Sequence, residues 1–282
     1  MNNFSALAFA ADLALRAGAI ILAVRARGFD TMKKSDASPV TEADHAAEAL
    51  IVAGLRAAAP EIPVVAEEET AAGHVVAVAN EFWLVDPLDG TREFAAGREE
   101  FTVNIGLVRD GRVVLGVVNV PAYGELFGGI VGHGAWRRDA TGQHVIHARA
   151  APPEGLTVLA SRSHGDQAAL TAFLAGRKVA EIVNYGSSLK FCRMAEGKAD
   201  LYPRHGRTME WDTAAPQAVL EAAGGAVRTL EGLPLRYGKP GWENPHFYCT
   251  GREPPPKEIG GAPGPEPTRY GDWAHKGRVT DF

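Results

Sequence analysis

The chain has 282 residues, 46% hydrophobic and 22% charged, the balance of an ordinary soluble globular protein with room for one large domain or two moderate ones. Its 34 acidic and 29 basic side chains leave a net charge of −5, which argues against a surface for polymeric nucleic acid but not against a small anionic ligand. Two cysteines, Cys192 and Cys249, exclude a disulfide scaffold, and no Cys/His spacing matches a zinc site.

The run from Phe4 to Val24 is apolar enough to raise the question of a signal peptide. No basic residue precedes it, and Asp12 and Arg16 interrupt it, so an amphipathic helix over residues 6–25, ending before Gly28, is the expectation. No other stretch reaches the ~18 uncharged apolar residues of a membrane span. The expected location is cytoplasmic, with peripheral attachment at the inner membrane face as the variant. Thr41 is placed as the N-cap of a second helix with Asp44 at its third position, close to a capping box. That helix stops before Pro60.

Strands are expected over residues 62–66, leading into Glu67-Glu68-Glu69, and over Phe82 to Val85. Two more, 101–108 and 112–120, are joined by Asp110-Gly111, a strong hairpin signal. The N-terminal half therefore reads as two helices followed by an antiparallel sheet. Beyond residue 152 strands and helices alternate: strands at 156–160, 179–183, 199–202 and 226–230, with helices at 167–174, 187–196 and 213–223. That alternation indicates an α/β arrangement. The organisation expected is residues 1–152, an α+β metal-binding domain; 153–250, an α/β domain; and 251–282, a tail. Six of the 18 prolines fall in the 32 residues of that tail, which lacks hydrophobic periodicity and should not fold by itself.

The chemistry is carried by carboxylates. Asp86-Pro87-Leu88-Asp89-Gly90-Thr91 follows the apolar run 82–85. These residue types also make ordinary turns. Two carboxylates three apart at a strand's end, however, repel unless a cation or proton lies between them. Hard oxygen donors plus a backbone carbonyl suit Mg²⁺. Glu67 also follows a strand, so the two strands, if neighbours, bring their acids to one edge. Asp212 precedes a helix, where it can be a plain N-cap or can offer an oxygen to metal as well, and the helix N-terminus attracts phosphate.

In their order, Asp44, Glu67-Glu68, Asp86 to Thr91 and Trp211-Asp212-Thr213-Ala214-Ala215 resemble the motif set of the inositol monophosphatase superfamily, over about residues 5–250. The finer resemblance is to bacterial 3'(2'),5'-bisphosphate nucleotidases. It is carried by Trp83 to Val108, by Gly186-Ser187-Ser188-Leu189-Lys190-Phe191-Cys192, and by Thr208 to Asp212 with Pro234 to Pro240. Ala66 departs from the serine or glycine common in such enzymes. The resemblance implies a layered αβαβα sugar-phosphatase fold, mixing α+β and α/β parts, with an extended C-terminal tail. It implies lithium-sensitive, Mg²⁺-dependent removal of the 3'-phosphate of adenosine 3',5'-bisphosphate, or of its sulfated form, in sulfate assimilation. The rival substrates are inositol 1-phosphate and fructose 1,6-bisphosphate.

By position, the resemblance gives two or three Mg²⁺ to Glu67, Asp86, the Leu88 carbonyl, Asp89 and Asp212. Glu67, and Thr91 bonded to Asp44, would prepare the attacking water. The amides of Gly90 and Thr91 would hold phosphate oxygens. Lys190, Arg204 and Arg207 are candidates for a second phosphate or are plain surface charges, and Ser187 and Ser188 are candidates for substrate contacts or helix caps. The tail, from Glu258 to Phe282 with Tyr270, Trp273 and Phe282 as anchors, resembles the small succinate dehydrogenase assembly factors. It therefore implies the flavoprotein subunit of that dehydrogenase as a partner. An inert tail is the alternative.

Overall fold

A computed structural model describes residues 1–29, 31–33, 39–77, 79–162, 166–252, 273–275 and 278–280. In helix α1 (Asn3–Arg27), Ala6, Ala10, Leu13, Ala17, Ile21 and Val24 recur every three or four residues and form one buried face. The helix starts earlier than expected because Asn2 Oδ1 accepts the Ser5 N–H at 2.9 Å and caps it. By length and composition α1 could cross a membrane, yet half of that stretch is buried, and it shares a core with the next helix and the first sheet. A short antiparallel pair, β1 (Thr31–Lys33) and β2 (Pro39–Thr41), precedes helix α2 (Glu42–Ala58). The capping box at α2 is formed: Asp44 Oδ2 accepts the Thr41 N–H at 2.8 Å and Thr41 Oγ1 accepts the Ala43 N–H at 3.1 Å.

The first sheet has seven strands in chain order: β3 (Val64–Ala66), β4 (Glu81–Asp89), β5 (Thr102–Arg109), β6 (Arg112–Val120), β7 (Glu125–Ile130), β8 (Gly134–Asp139) and β9 (Gly142–Ile146). Only β3 and β4 run parallel. Short helices α3 (Glu67–Ala71) and α4 (Thr91–Ala95) follow β3 and β4 directly. Asp110 and Gly111, both at positive φ (51° and 71°), turn β5 into β6 as the Asp-Gly signal required. Strand β4 outruns the predicted segment 82–85. It continues through Pro87 to Asp89 because its register with β5 breaks between Asp86 and Asp89, where a proline costs no ladder bond.

The second sheet is built from β10 (Leu156–Ser161), β11 (Val179–Tyr185), β12 (Leu201–Arg204), β13 (Ala226–Thr229) and β14 (Phe247–Thr250), in the order β11-β10-β12-β14-β13. Strand β10 is parallel to β11 and β12, while β14 runs antiparallel to both β12 and β13. β14 has no counterpart in the predicted elements. Helices α5 (Gln167–Leu174), α6 (Leu189–Ala195) and α7 (Glu210–Ala222) complete this half. In the tail, β15 (Trp273–His275) and β16 (Arg278–Thr280) pair antiparallel. The predicted anchors Tyr270 and Phe282 lie outside the described residues, and Trp273 is described only by its strand.

Three cores define five layers. One joins α1 and α2 to the first sheet. The second joins the opposite face of that sheet to α6, α7 and the second sheet. The third packs α5 on the outer face of the second sheet. The αβαβα expectation holds. Helix α7 comes so close to the first sheet that a Cβ at Gly116 would lie 2.2 Å from the Ala215 carbonyl oxygen, and one at Gly106 2.7 Å from the Ala215 nitrogen. Glycine at these positions is thus what sets the N-terminal part of α7 beside β4.

Candidate active site

The end of β4 and the starts of α3, α4, α6 and α7 open onto one cavity of about 650 Å³. Glu67, Asp86, Asp89 and Asp212 all line it, from three separate elements. Parallel pairing of β3 with β4 brings Glu67 and Asp86 to the same edge, as their positions after strands required. Asp86 is 1% exposed, and its Oδ1 accepts the Leu88 N–H at 3.0 Å, so the turn within the Asp-Pro-Leu segment orients the carboxylate. Asp212 is not the N-cap expected. It is the third residue of α7, and its Oδ2 accepts the Met209 N–H at 2.8 Å. A carboxylate has about four lone-pair sites, so this one bond leaves coordinating capacity. Pro216 is interior to α7, since the helix begins at Glu210. It removes the N–H that would bond the Asp212 carbonyl.

The start of α7 is itself anchored by contacts that sequence reasoning missed. Glu210 is fully buried and accepts the N–H groups of Gly238 and Lys239 at 2.7 and 2.9 Å, with the Lys239 ammonium at 2.6 Å. The Pro234–Pro240 segment therefore acts as a clasp on the helix that carries Asp212. Nothing in its spacing from Glu210 signalled this.

Asp44 does not line the cavity. It is 1% exposed, holds the α2 cap with Oδ2, and reaches the site through Thr91, whose Oγ1 lies 3.1 Å from Asp44 Oδ1 and 3.1 Å from the Leu88 carbonyl oxygen. Gly90 caps α4 in the left-handed region at φ 92°, ψ 36°. A Cβ there would also press to 3.0 Å from the Glu100 carbonyl oxygen and 3.2 Å from Ser187 Cβ, so this glycine is required twice over.

Ser187 faces the cavity from a strained φ of 48°. Ser188, a candidate for substrate contact or helix cap, lines the same cavity, is 3% exposed and has its hydroxyl within 2.8 Å of Thr102 Oγ1 and of Asn104 Oδ1. Lys190 lines the cavity, but its ammonium donates to the Tyr185 and Ser187 carbonyls, which makes it first a brace for the 185–188 turn. Arg204 is 8% exposed. One Nη2 bond reaches the Arg207 carbonyl at 3.1 Å, and its buried Nε has no hydrogen-bond partner among the described residues. Arg207 also lines the cavity, and its guanidinium pairs with Glu243 at 3.2 Å.

The charges disfavour one another. Burial pushes Asp89 up to about 6, against the opposing pull of Lys190 and the Ser188 N–H. Burial raises Asp212 well above the usual carboxylate range, and the charges of Asp89 and Glu67 add to the effect. Burial lowers Lys190 to about 8, partly offset by Asp89. Crowded oxygen donors of this kind fit a hard divalent cation, which relieves both desolvation and repulsion. Among the described residues no three such side chains close into a finished cage. An open site suits Mg²⁺, which keeps several waters and takes substrate phosphate as a ligand.

Residues 3–250 match the inositol monophosphatase family, and residues 245–282 separately match a family described as a protein of unknown function (DUF1674). The 3'(2'),5'-bisphosphate nucleotidase CysQ of Shigella flexneri is 44% identical over 242 residues, 85% of this chain and 97% of the relative. The crystal structure of CysQ from Bacteroides thetaiotaomicron superposes with a TM-score of 0.75 at 36% identity, covering 89% of this chain and 98% of the other. An inositol monophosphatase from Zymomonas mobilis gives 0.74 at 28% identity, covering 89% and 94%. Proteins of this kind are in general metal-dependent. With its five-layer fold, its convergent carboxylates and a match spanning nearly all the residues before the tail, the chain belongs to the inositol monophosphatase family.

Proposed function

We propose that the chain is a Mg²⁺-dependent phosphomonoesterase that hydrolyses the 3'-phosphate of adenosine 3',5'-bisphosphate to AMP and phosphate. The observation that carries this is the meeting of Glu67, Asp86, Asp89 and Asp212 on one cavity in a chain 44% identical to a 3'(2'),5'-bisphosphate nucleotidase. Those four carboxylates and the Leu88 carbonyl would hold two or three Mg²⁺. Bound there, the metal supplies charge stabilisation at phosphorus and acidifies water.

The chain's own groups do the rest. Thr91 Oγ1 has one proton and two acceptors beside it, Asp44 and the Leu88 carbonyl. Its hydroxyl can therefore accept a proton from a water in the cavity as it gives its own to Asp44. That water's oxygen bonds to phosphorus, the bond to the ribose 3'-oxygen breaks, and solvent protonates the departing oxygen. The amides of Gly90 and Thr91, at the open start of α4, bind the phosphate's oxygens. Arg204 offers its partnerless Nε to the second phosphate.

The test is phosphate release with Mg²⁺ from adenosine 3',5'-bisphosphate, inositol 1-phosphate and fructose 1,6-bisphosphate side by side. Preference for the nucleotide is expected. Preference for either sugar phosphate would retain the metal chemistry and discard the nucleotide. Arg204→Ala should cut the preference for the bisphosphate over 3'-AMP about tenfold, the effect of ~1.4 kcal/mol. An unchanged ratio of kcat/KM values would remove Arg204 from the substrate site. Lys190→Ala should act instead by loosening the 185–188 turn.

A second reading concerns the tail, where residues 245–282 separately match a family of unknown function, and it rests on the resemblance of the tail to the assembly factors. Residues 251–282 are proposed to engage the flavoprotein subunit of succinate dehydrogenase. The full chain should capture that subunit in a pull-down, and deletion of 251–282 should abolish capture while phosphatase activity persists. Equal capture by the truncated chain would sink this reading.

A further inference from the structure

Asp89 is held by side chains that the catalytic reading leaves unused. Its Oδ2 accepts the Ser188 N–H and lies 3.4 Å from Thr102 Oγ1. Thr102 Oγ1 is 2.8 Å from Ser188 Oγ, which is 2.8 Å from Asn104 Oδ1. Asp89 and Thr102 are paired across β4 and β5. Thr102 and Asn104, two apart on β5, point to the same side, and both are fully buried.

The hydroxyl protons of this cluster cannot serve every acceptor at once. Each hydroxyl has one proton to give. With the Asn104 oxygen toward Ser188, Ser188 donates to Asn104 and Thr102 donates to Ser188. Asp89 then receives no side-chain proton, and Asn104 Nδ2 is left buried with no hydrogen-bond partner. Turning the amide over reverses the order: Asn104 N–H donates to Ser188 Oγ, Ser188 O–H to Thr102 Oγ1, and Thr102 O–H to Asp89 Oδ2. The buried donor is satisfied, at the cost of an under-satisfied carbonyl, which proteins tolerate better than an orphaned N–H. Both bonds to Asp89 then fall on Oδ2 and fix the rotation of the carboxylate.

We propose that Asn104, Ser188 and Thr102 form a directed hydrogen-bond chain that positions the Asp89 carboxylate for metal binding. Thr102 and Asn104 are thereby positioning residues, and Ser188 ties the start of α6 to the same carboxylate. This inference rests on the reading of Asp89 as a metal ligand.

The test is calorimetric titration of the full-length protein with MgCl₂ alone, without substrate, beside thermal melts. Thr102→Val, which keeps shape and removes the hydroxyl, should weaken Mg²⁺ binding about tenfold, in the range seen when groups behind metal ligands are removed. Ser188→Ala keeps both the Ser188 N–H and the Thr102 O–H to Asp89 and should weaken binding by less. Thr102→Ser should rescue binding to within about twofold, far less than a tenfold loss of this kind. A folded Thr102→Val protein that binds Mg²⁺ as the unmodified chain does would overturn the proposal, as would a Thr102→Ser protein as weak as Thr102→Val. Should Thr102→Val fail to fold, Thr102→Ala, which also removes the hydroxyl, decides by the same criterion. If the unmodified chain binds no Mg²⁺, the metal reading and this inference fall together. If it binds normally and the variants match it, only the inference fails.

Discussion

Asparagine in place of Asp86 or Asp89 should lower phosphate release by about a thousandfold or more, since bound metal supplies several kcal/mol of transition-state stabilisation and each ~1.4 kcal/mol is tenfold in rate. The folded state should survive. Asp89 accepts the Ser188 N–H through one oxygen, and an asparagine carbonyl can accept the same bond. Removing its charge also relieves the repulsion that helps to push Asp212 up. The melting temperature of Asp89→Asn without added metal should therefore equal or exceed that of the unmodified chain. Together, a kinetic assay and a melt separate lost chemistry from lost structure. Substantial turnover by either folded variant would remove that carboxylate from the metal site.

Thr91→Val is expected to lower kcat about a hundredfold, the lower end of what a positioned proton-transfer group contributes, with KM little changed. The side chain is nearly isosteric, so the contact with α2 stays filled. What is lost is the hydroxyl between Asp44 and the Leu88 carbonyl, 3.1 Å from each. Thr91→Ser keeps that hydroxyl and should retain most of the activity. Steady-state rates at saturating substrate and metal are the measurement. A Thr91→Val enzyme within a few-fold of normal would show that water gives up its proton elsewhere.

Much of the site was legible because its residues break the pattern of the segments around them. Asp86 and Asp89 interrupt an apolar run, and Thr41 with Asp44 is a local capping signal that needs only neighbouring residues. The α5 boundaries, Gln167–Leu174, were predicted to the residue. What failed depended on distant contacts. The partners of the Ser188 hydroxyl were missed because its sequence gives no hint that Thr102 and Asn104 wait behind it. Those two are the polar side chains of the otherwise apolar run 101–108, and that alternation was the available signal. The start of α7 was placed too late because Met209, Glu210 and the 234–240 segment fix it through tertiary bonds. Strand β14 was missed because a four-residue strand after a proline-containing loop has no periodicity of its own.

The close seating of α7 against Gly106 and Gly116 has a consequence for synthesis. As the chain leaves the ribosome, Glu67, Asp86 and Asp89 emerge before Asp212, whose helix packs against Gly106 and Gly116 of the first sheet. A nascent or truncated chain lacking α7 holds three acids on an open edge, with no fourth wall to the cavity. Hydrolysis that needs all four carboxylates therefore requires α7 to be seated on the first sheet, and the fit of two glycines to one helix becomes a condition of activity.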